Sequence, residues 1–262
     1  TSAYQKEAEF LIAYAQEVGK LLPYPLKHIN LGGGYPKNYS SSADNWINVS
    51  PHYQDTYRAN IGFDTIADIL IRPVANALGS NIEIIVEPGR SMVSDTAILL
   101  TTIEARKTRQ KKPVFYLDAG YSVLFDIFLG WYFHLVNASK SDDTATQLCR
   151  VAGPLCDSSD TFYDIEGEGR VKALLAIMPE LSEQRATLEK VLVQQPSLRE
   201  LPSNTQIGDI IALFDTGAYG LEMMNQYCGR QAPAAVMIGC QQTSRLIRRR
   251  ATANDLLHFD VF

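Results

Sequence analysis

Apolar and polar positions follow one rhythm in the first part of this chain and another in the rest, with the change near residues 95–105. Residues 3–20, "AYQKEAEFLIAYAQEVGK", carry apolar side chains at helical spacing up to Gly19, which predicts an amphipathic helix. "PLKHINLGGGYP" reads as a short strand running into a glycine turn. Residues 37–60 are polar and irregular and predict a long loop. "FDTIADILIRPVANALG" (63–79) predicts a second helix closing at Gly79, and the β-branched run 82–86 of "NIEIIVEPGR" a strand that breaks at Pro88 and Gly89. Helix, strand, glycine turn, helix, strand, glycine turn is the rhythm of parallel α/β structure.

Beyond about residue 100, strand-like segments recur at 113–120, 209–219 and 234–239, separated by turns, while the charged, Gln-rich stretch 180–200 is either a helix or a loop extension. The expected fold class is therefore α/β plus all-β, with the α/β part over 1–100 and a β domain over 101–262.

Composition narrows the function. With 46% hydrophobic and 20% charged residues, the 262-residue chain suits a soluble globular protein of one or two domains. A net charge of −5 argues against a nucleic-acid partner, and the one basic run, "RLIRRR" (245–250), reads as a solvated strand or helix end. No apolar run approaches the roughly 18 residues of a membrane span. The four cysteines show no CxxC pairing, so neither a metal site nor a disulfide framework is expected, and a cytoplasmic setting is.

Three features carry candidate chemistry. Gly32, Gly33 and Gly34 follow a strand, where glycine N–H groups can converge on a phosphate; alone, they read first as a tight connection. Gly89 and Arg90 end the next strand, and a guanidinium beside a turn attracts the same ligand. Glu87 closes that apolar strand, where a carboxylate is costly unless partnered, as by a protonated ring nitrogen. The third feature is "VAGPLCDSSD" (151–160). It sets Cys156 in a turn beside Asp157 and Asp160, where acidic neighbours favour the protonated thiol, a group able to give a proton.

In order, "INLGGGY", "IVEPGRSMV", "YLDAG", "VAGPLCDSSD", "FDTGAYG" and "MMNQYCGRQAP" resemble the fold-type III pyridoxal-phosphate decarboxylases, which include the ornithine, diaminopimelate and related amino-acid decarboxylases; the close, "RRRATANDLLHFD", resembles that family's last segment. The resemblance implies the C-terminal part of a pyridoxal-phosphate-binding (β/α)8 barrel followed by a β-sandwich or barrel-like domain. It implies that Gly32, Gly33, Gly34, Gly89 and Arg90 hold the cofactor phosphate, with a hydroxyl added by Tyr219. Glu87 would pair with the pyridine nitrogen and Cys156 would protonate the substrate carbon. A homodimer is implied too, with the cysteine loop delivered across its interface.

The departures concern substrate. Where diaminopimelate decarboxylases carry an arginine for the distal carboxylate, ungapped alignment of "DAGYSVLFDIF" places Asp126, and Asp157 is an aspartate, as in ornithine decarboxylases, where it faces the distal amine. The expected substrate is a diamino acid, ornithine- or lysine-like or derivatised, in preference to diaminopimelate. Tyr227-Cys228-Gly229-Arg230-Gln231 replaces the usual Tyr-Asn-x-Arg-Pro. The family also carries its cofactor lysine on the first barrel strand, and no such stretch is read here. The chain is therefore expected to be the C-terminal part of a longer enzyme. A short non-catalytic regulatory homologue is the alternative, and an amino-acid racemase is disfavoured because racemases of this fold protonate with a tyrosine and use no Cys-Asp-Ser loop.

Overall fold

In a computed structural model, residues 2–39, 59, 61–141, 145–193, 195–241 and 243–257 are described. The described residues up to Ser94 form one compact unit and those from Asp95 onward another.

The first unit opens with the helix Ser2–Leu21, then β1 (His28–Asn30), a continuous helix over 63–78, β2 (Glu83–Ile85) and a single turn of helix, Arg90–Val93. β1 and β2 run parallel with His28 opposite Glu83 and Asn30 opposite Ile85. Ile66, Leu70 and Val74, spaced four apart, lie on one face of the second helix and pack with Ala8, Leu31 and Tyr35 into the core of this unit. Its middle, Ala67–Ile71, is wound as a π-helix, and Pro73 follows at the start of the next α-helical segment. Proline has no N–H to give to the carbonyl four residues back, so the ladder re-registers around it. Gly79 ends the helix at φ +83°, as its sequence position predicts. Most of the polar segment 37–60 lies outside the described residues.

The second unit is built on a six-stranded sheet in the order β5-β8-β3-β4-β6-β7. Its strands are β3 (Leu99–Arg109), β4 (Lys112–Leu117), β5 (Leu135–Asn137), β6 (Thr146–Ala152), β7 (Arg199–Pro202) and β8 (Ile210–Leu213). Only the β4–β6 pair is parallel. The edge strands β5 and β7 touch, so the sheet rolls toward a barrel. Ile103, Phe115, Leu117, Cys149, Val151, Leu201, Ile211 and Leu213 fill its interior. Burial pushes the Cys149 thiol up to about 12, so it packs as an inert apolar group.

Two helices break the expected all-β character of this unit: Ile165–Ile177, and Arg185–Leu192 reached through the 3-10 turn Pro179–Gln184. The stretch 180–200 is thus helical to Leu192 before it enters β7. Gly167 and Gly169 hide the first helix from a propensity reading. Asp164 caps it by accepting from the Gly167 N–H, and a Cβ on Gly167 would lie 2.6 Å from the Leu192 carbonyl oxygen, so the glycine serves helix packing. β9 (Ala235–Ile238) and β10 (Ser244–Arg248) form a separate antiparallel pair whose Arg245, Leu246 and Arg248 are exposed, as the strand reading of the basic run expects.

His134 stands beside Phe214, and its imidazole is pushed down to about 4, first by burial and then by the positive charge of Arg199. The native state therefore binds this proton more weakly than the unfolded chain, and stability falls as pH drops from about 6.5 to 4. The expected loss from this group is about 3 kcal/mol. Urea unfolding of wild type and His134→Gln at pH 7 and pH 4 checks it: the difference between the two pH values is to shrink by that amount in the variant.

Candidate active site

In the first unit, the glycine turn and Glu87 are tied together at the ends of β1 and β2. Gly32 and Gly34 sit at φ +70° and +75°, which L side chains rarely adopt, and a Cβ on either would point into open space. Gly33 is glycine for a different reason: a Cβ there would lie 2.2 Å from the Glu87 carbonyl oxygen. The Glu87 N–H donates to the Gly32 carbonyl at 2.8 Å. Asn30, the last residue of β1, bridges the two turns, accepting the Gly32 N–H at 2.8 Å and donating its amide N–H to the Glu87 carboxylate.

Glu87 differs from expectation in its surroundings. β2 alternates, with Ile84 half-buried and Glu83 and Ile85 outward, and Glu87 falls on the exposed face. Its carboxylate is solvated in this chain and partnered by Asn30, so no buried-charge penalty has to be offset. Gly89 precedes the turn of helix opened by a half-buried Arg90. A cleft of about 740 Å³ in this unit is lined by residues flanking both turns, including Tyr35, Lys37, Pro88, Ser91 and Met92.

In the second unit, the cysteine loop is organised by one buried carboxylate. Asp160 is 2% exposed, and its oxygens accept the N–H groups of Tyr121 and Leu155, each at 2.8 Å. Cβ atoms on Gly120 and Gly153 would lie 2.1 and 2.2 Å from that carboxylate, so the glycines of "DAG" and "VAGP" are the walls of its socket. Burial raises the Asp160 pKa against the pull of those two N–H groups. Arg230 donates to the Pro154 carbonyl at 2.9 Å, which gives the altered Tyr-Cys-Gly-Arg segment a role in bracing the loop.

On this base Cys156 is exposed and Asp157 half-buried beside it. The Asp157 carboxylate accepts from the Ser159 N–H at 2.8 Å and the Tyr121 hydroxyl at 2.9 Å. The Ser159 N–H foremost, then Tyr121, hold it below the usual carboxylate range. The acids beside Cys156 are thus engaged in fixing the loop. Asp126 sits in the 3-10 turn Phe125–Ile127 and is only 6% exposed. Tyr219, 44% exposed, holds a left-handed φ of +61°.

The structure therefore brings Gly32, Gly33, Gly34 and Glu87 together, and Cys156 with Asp157, each set within its own unit. Asn30 and Tyr121 are functional neighbours that sequence reasoning passed over, and Asp160, read there only as an acidic neighbour of Cys156, is the buried anchor of its loop. Their signal is positional: Asn30 closes the strand before the glycines, Tyr121 follows "DAG", and Asp160 ends the cysteine motif.

Glycine turns closing parallel strands in one unit, and a cysteine loop on a rolled mixed sheet in the other, define the build of the fold-type III decarboxylases. A solved structure of a diaminopimelate decarboxylase shares the fold at a TM-score of 0.73 and 24% identity, covering 99% of this chain and 52% of that one. The family model described as pyridoxal-dependent decarboxylase, C-terminal sheet domain, matches residues 35–178, and the chain belongs to that family. Relatives include the diaminopimelate decarboxylase of Escherichia coli K12, 30% identical over 193 residues, covering 72% of this chain and 39% of that protein. That of Buchnera aphidicola subsp. Acyrthosiphon pisum is 27% identical over 266 residues, covering 98% of this chain and 52% of that protein. The chain thus spans about half the length of the curated relatives it matches. No helix among the described residues is long and apolar enough to cross a membrane.

Proposed function

We propose that this protein decarboxylates an amino acid with a second, cationic end, using pyridoxal phosphate. The observation that carries the reading is the exposed Cys156 thiol next to a carboxylate, Asp157, that neutral donors keep ionised. The first unit fits the cofactor. Open glycine turns at Gly32 and Gly34, with Gly33, Gly89 and Arg90, supply donors for a phosphate, and the exposed Glu87 carboxylate suits a protonated ring nitrogen. Tyr219 would add its hydroxyl to the phosphate.

When bound, the cofactor supplies an electron sink for the carbanion left as CO2 departs. The chain's own residues do the rest. Asn30 keeps Glu87 turned to the glycines, Cys156 Sγ gives its proton to the substrate carbon, and Asp157 holds the distal amine. The amine contact rests on Asp157 rather than Asp126, which is enclosed. A cytoplasmic homodimer sharing cysteine loops across its interface belongs to the same reading.

A second reading, diaminopimelate itself, is favoured by the names of the relatives; against it stands Asp126 in place of an arginine. Release of CO2 from ornithine, lysine and meso-diaminopimelate, measured with added pyridoxal phosphate, separates the two. Turnover of a diamine-ended substrate at least about tenfold above diaminopimelate is expected, one charged contact being worth that much. Equal or faster turnover of diaminopimelate overturns the cationic-end reading. No CO2 from any of them, with no visible absorbance from bound cofactor, leaves the non-catalytic alternative.

A further inference from the structure

The Tyr121 ring is buried at 6% exposure in an aromatic cluster. It stacks on Tyr227 at 5.9 Å and 25°, tilts against Phe128 at 5.5 Å and meets Phe125 edge-on at 6.4 Å. Its backbone N–H is fixed by Asp160 and its hydroxyl by Asp157. Both ends of the residue are thus anchored on the cysteine loop, from a turn that lies 36 residues away from Asp157 in sequence. The hydroxyl stays protonated, its pKa raised by burial first and then by the bond to Asp157, so it donates at any working pH.

Asp157 receives only neutral donors, the Ser159 amide and hydroxyl and the Tyr121 phenol, and has no ion-pair partner among the described residues. Its negative charge is therefore stabilised without being neutralised, the state in which a carboxylate attracts a cation. We infer that Tyr121 is a positioning residue for substrate specificity: its hydroxyl fixes the Asp157 carboxylate beside Cys156 so that the pair meets an amino acid bearing a distal ammonium group. Asp157 reaches no further than its short side chain allows, and a rigid phenol behind it sets where its charge stands. This inference rests on Asp157 being the amine receptor.

The test is Tyr121→Phe, which keeps the ring and its packing and removes the hydroxyl, with Asp157→Asn as reference. In the full-length protein, Tyr121→Phe is expected to raise KM for the diamino acid about tenfold while kcat changes less than about twofold, the loss of one hydrogen bond to a charged group. A second readout needs no turnover. In a 13C carboxyl NMR titration of this chain, the Asp157 signal, assigned by its absence in Asp157→Asn, is to titrate nearer the usual aspartate range in Tyr121→Phe than in wild type. A purely structural tyrosine would move neither. A KM raised by Asp157→Asn but unchanged by Tyr121→Phe, with the titration also unchanged, overturns the inference alone. A KM unchanged in both variants overturns the amine-receptor reading and the inference with it.

Discussion

Cys156→Ala is expected to lower kcat by about 10²- to 10⁴-fold, the range that a positioned proton donor contributes. KM should stay near wild type, because Asp157 and its donors remain in place. The thiol is exposed and nothing in the loop depends on it for a hydrogen bond: the loop is held by Asp160, Arg230 and Tyr121. The variant should therefore fold and melt like wild type, and steady-state CO2 release reads the chemistry alone. Residual activity within about threefold of wild type would assign the proton to another donor.

Gly153→Ala is expected to cost about 4 kcal/mol of stability. The new methyl would lie 2.2 Å from the Asp160 carboxylate, which has nowhere to go: it is buried, short, and held from both sides by the Tyr121 and Leu155 N–H groups. Overpacking of this kind costs about 1–3 kcal/mol, and a displaced carboxylate leaves buried N–H groups unsatisfied at about 1–3 kcal/mol each. Gly120→Ala meets the same carboxylate from the other wall at 2.1 Å. The double variant should therefore lose less than the sum of the singles, because the carboxylate can be displaced only once. Gly169→Ala, inside a helix with open space around its Cα, is the matched control and should be neutral or slightly stabilising. Denaturant unfolding of wild type and the four variants measures all of this; a Gly153→Ala midpoint equal to that of Gly169→Ala would mean that Asp160 is not a fixed keystone.

The elements of the first unit were legible because most are punctuated by a residue with one backbone use: the triple glycine, Gly79 and the Pro88-Gly89 pair; the first helix instead runs through Gly19 to Leu21. The strands β4, β8 and β9 were legible as apolar runs bounded by turns. The helix Ile165–Ile177 was not, since glycines at 167 and 169 oppose helix propensity and the reason for the first is tertiary, at Leu192. The site followed the same division. Cys156, Glu87 and the glycines announce themselves by residue type, and family motifs gather them. What surrounds them does not: the exposure of Glu87 depends on which face of a three-residue strand it continues, and the burial of Asp126 on a turn folding into the sheet interior. Tyr121 drew no reading because nothing local shows that its hydroxyl meets a loop 36 residues on.

The sheet order also dictates a schedule of assembly. β3 is among the first strands of its unit to be made, yet Leu99 pairs with Leu213 on β8, the last strand of the sheet. At ribosomal speeds of about 5–20 residues per second, the intervening hundred or so residues keep that side of β3 waiting for roughly 5–20 s. Over Leu99–Thr102 the missing neighbour eventually arrives; beyond Ile103, among the described residues, only β4 pairs with the strand. That open length reads "EARKTR", with Glu104, Arg106, Lys107 and Arg109 all exposed. Charges of both signs along a free edge discourage another nascent chain from adding a strand there. The least conspicuous residues of the sheet thus protect the protein while it is still being built, and they do so in the stretch that no other described strand covers.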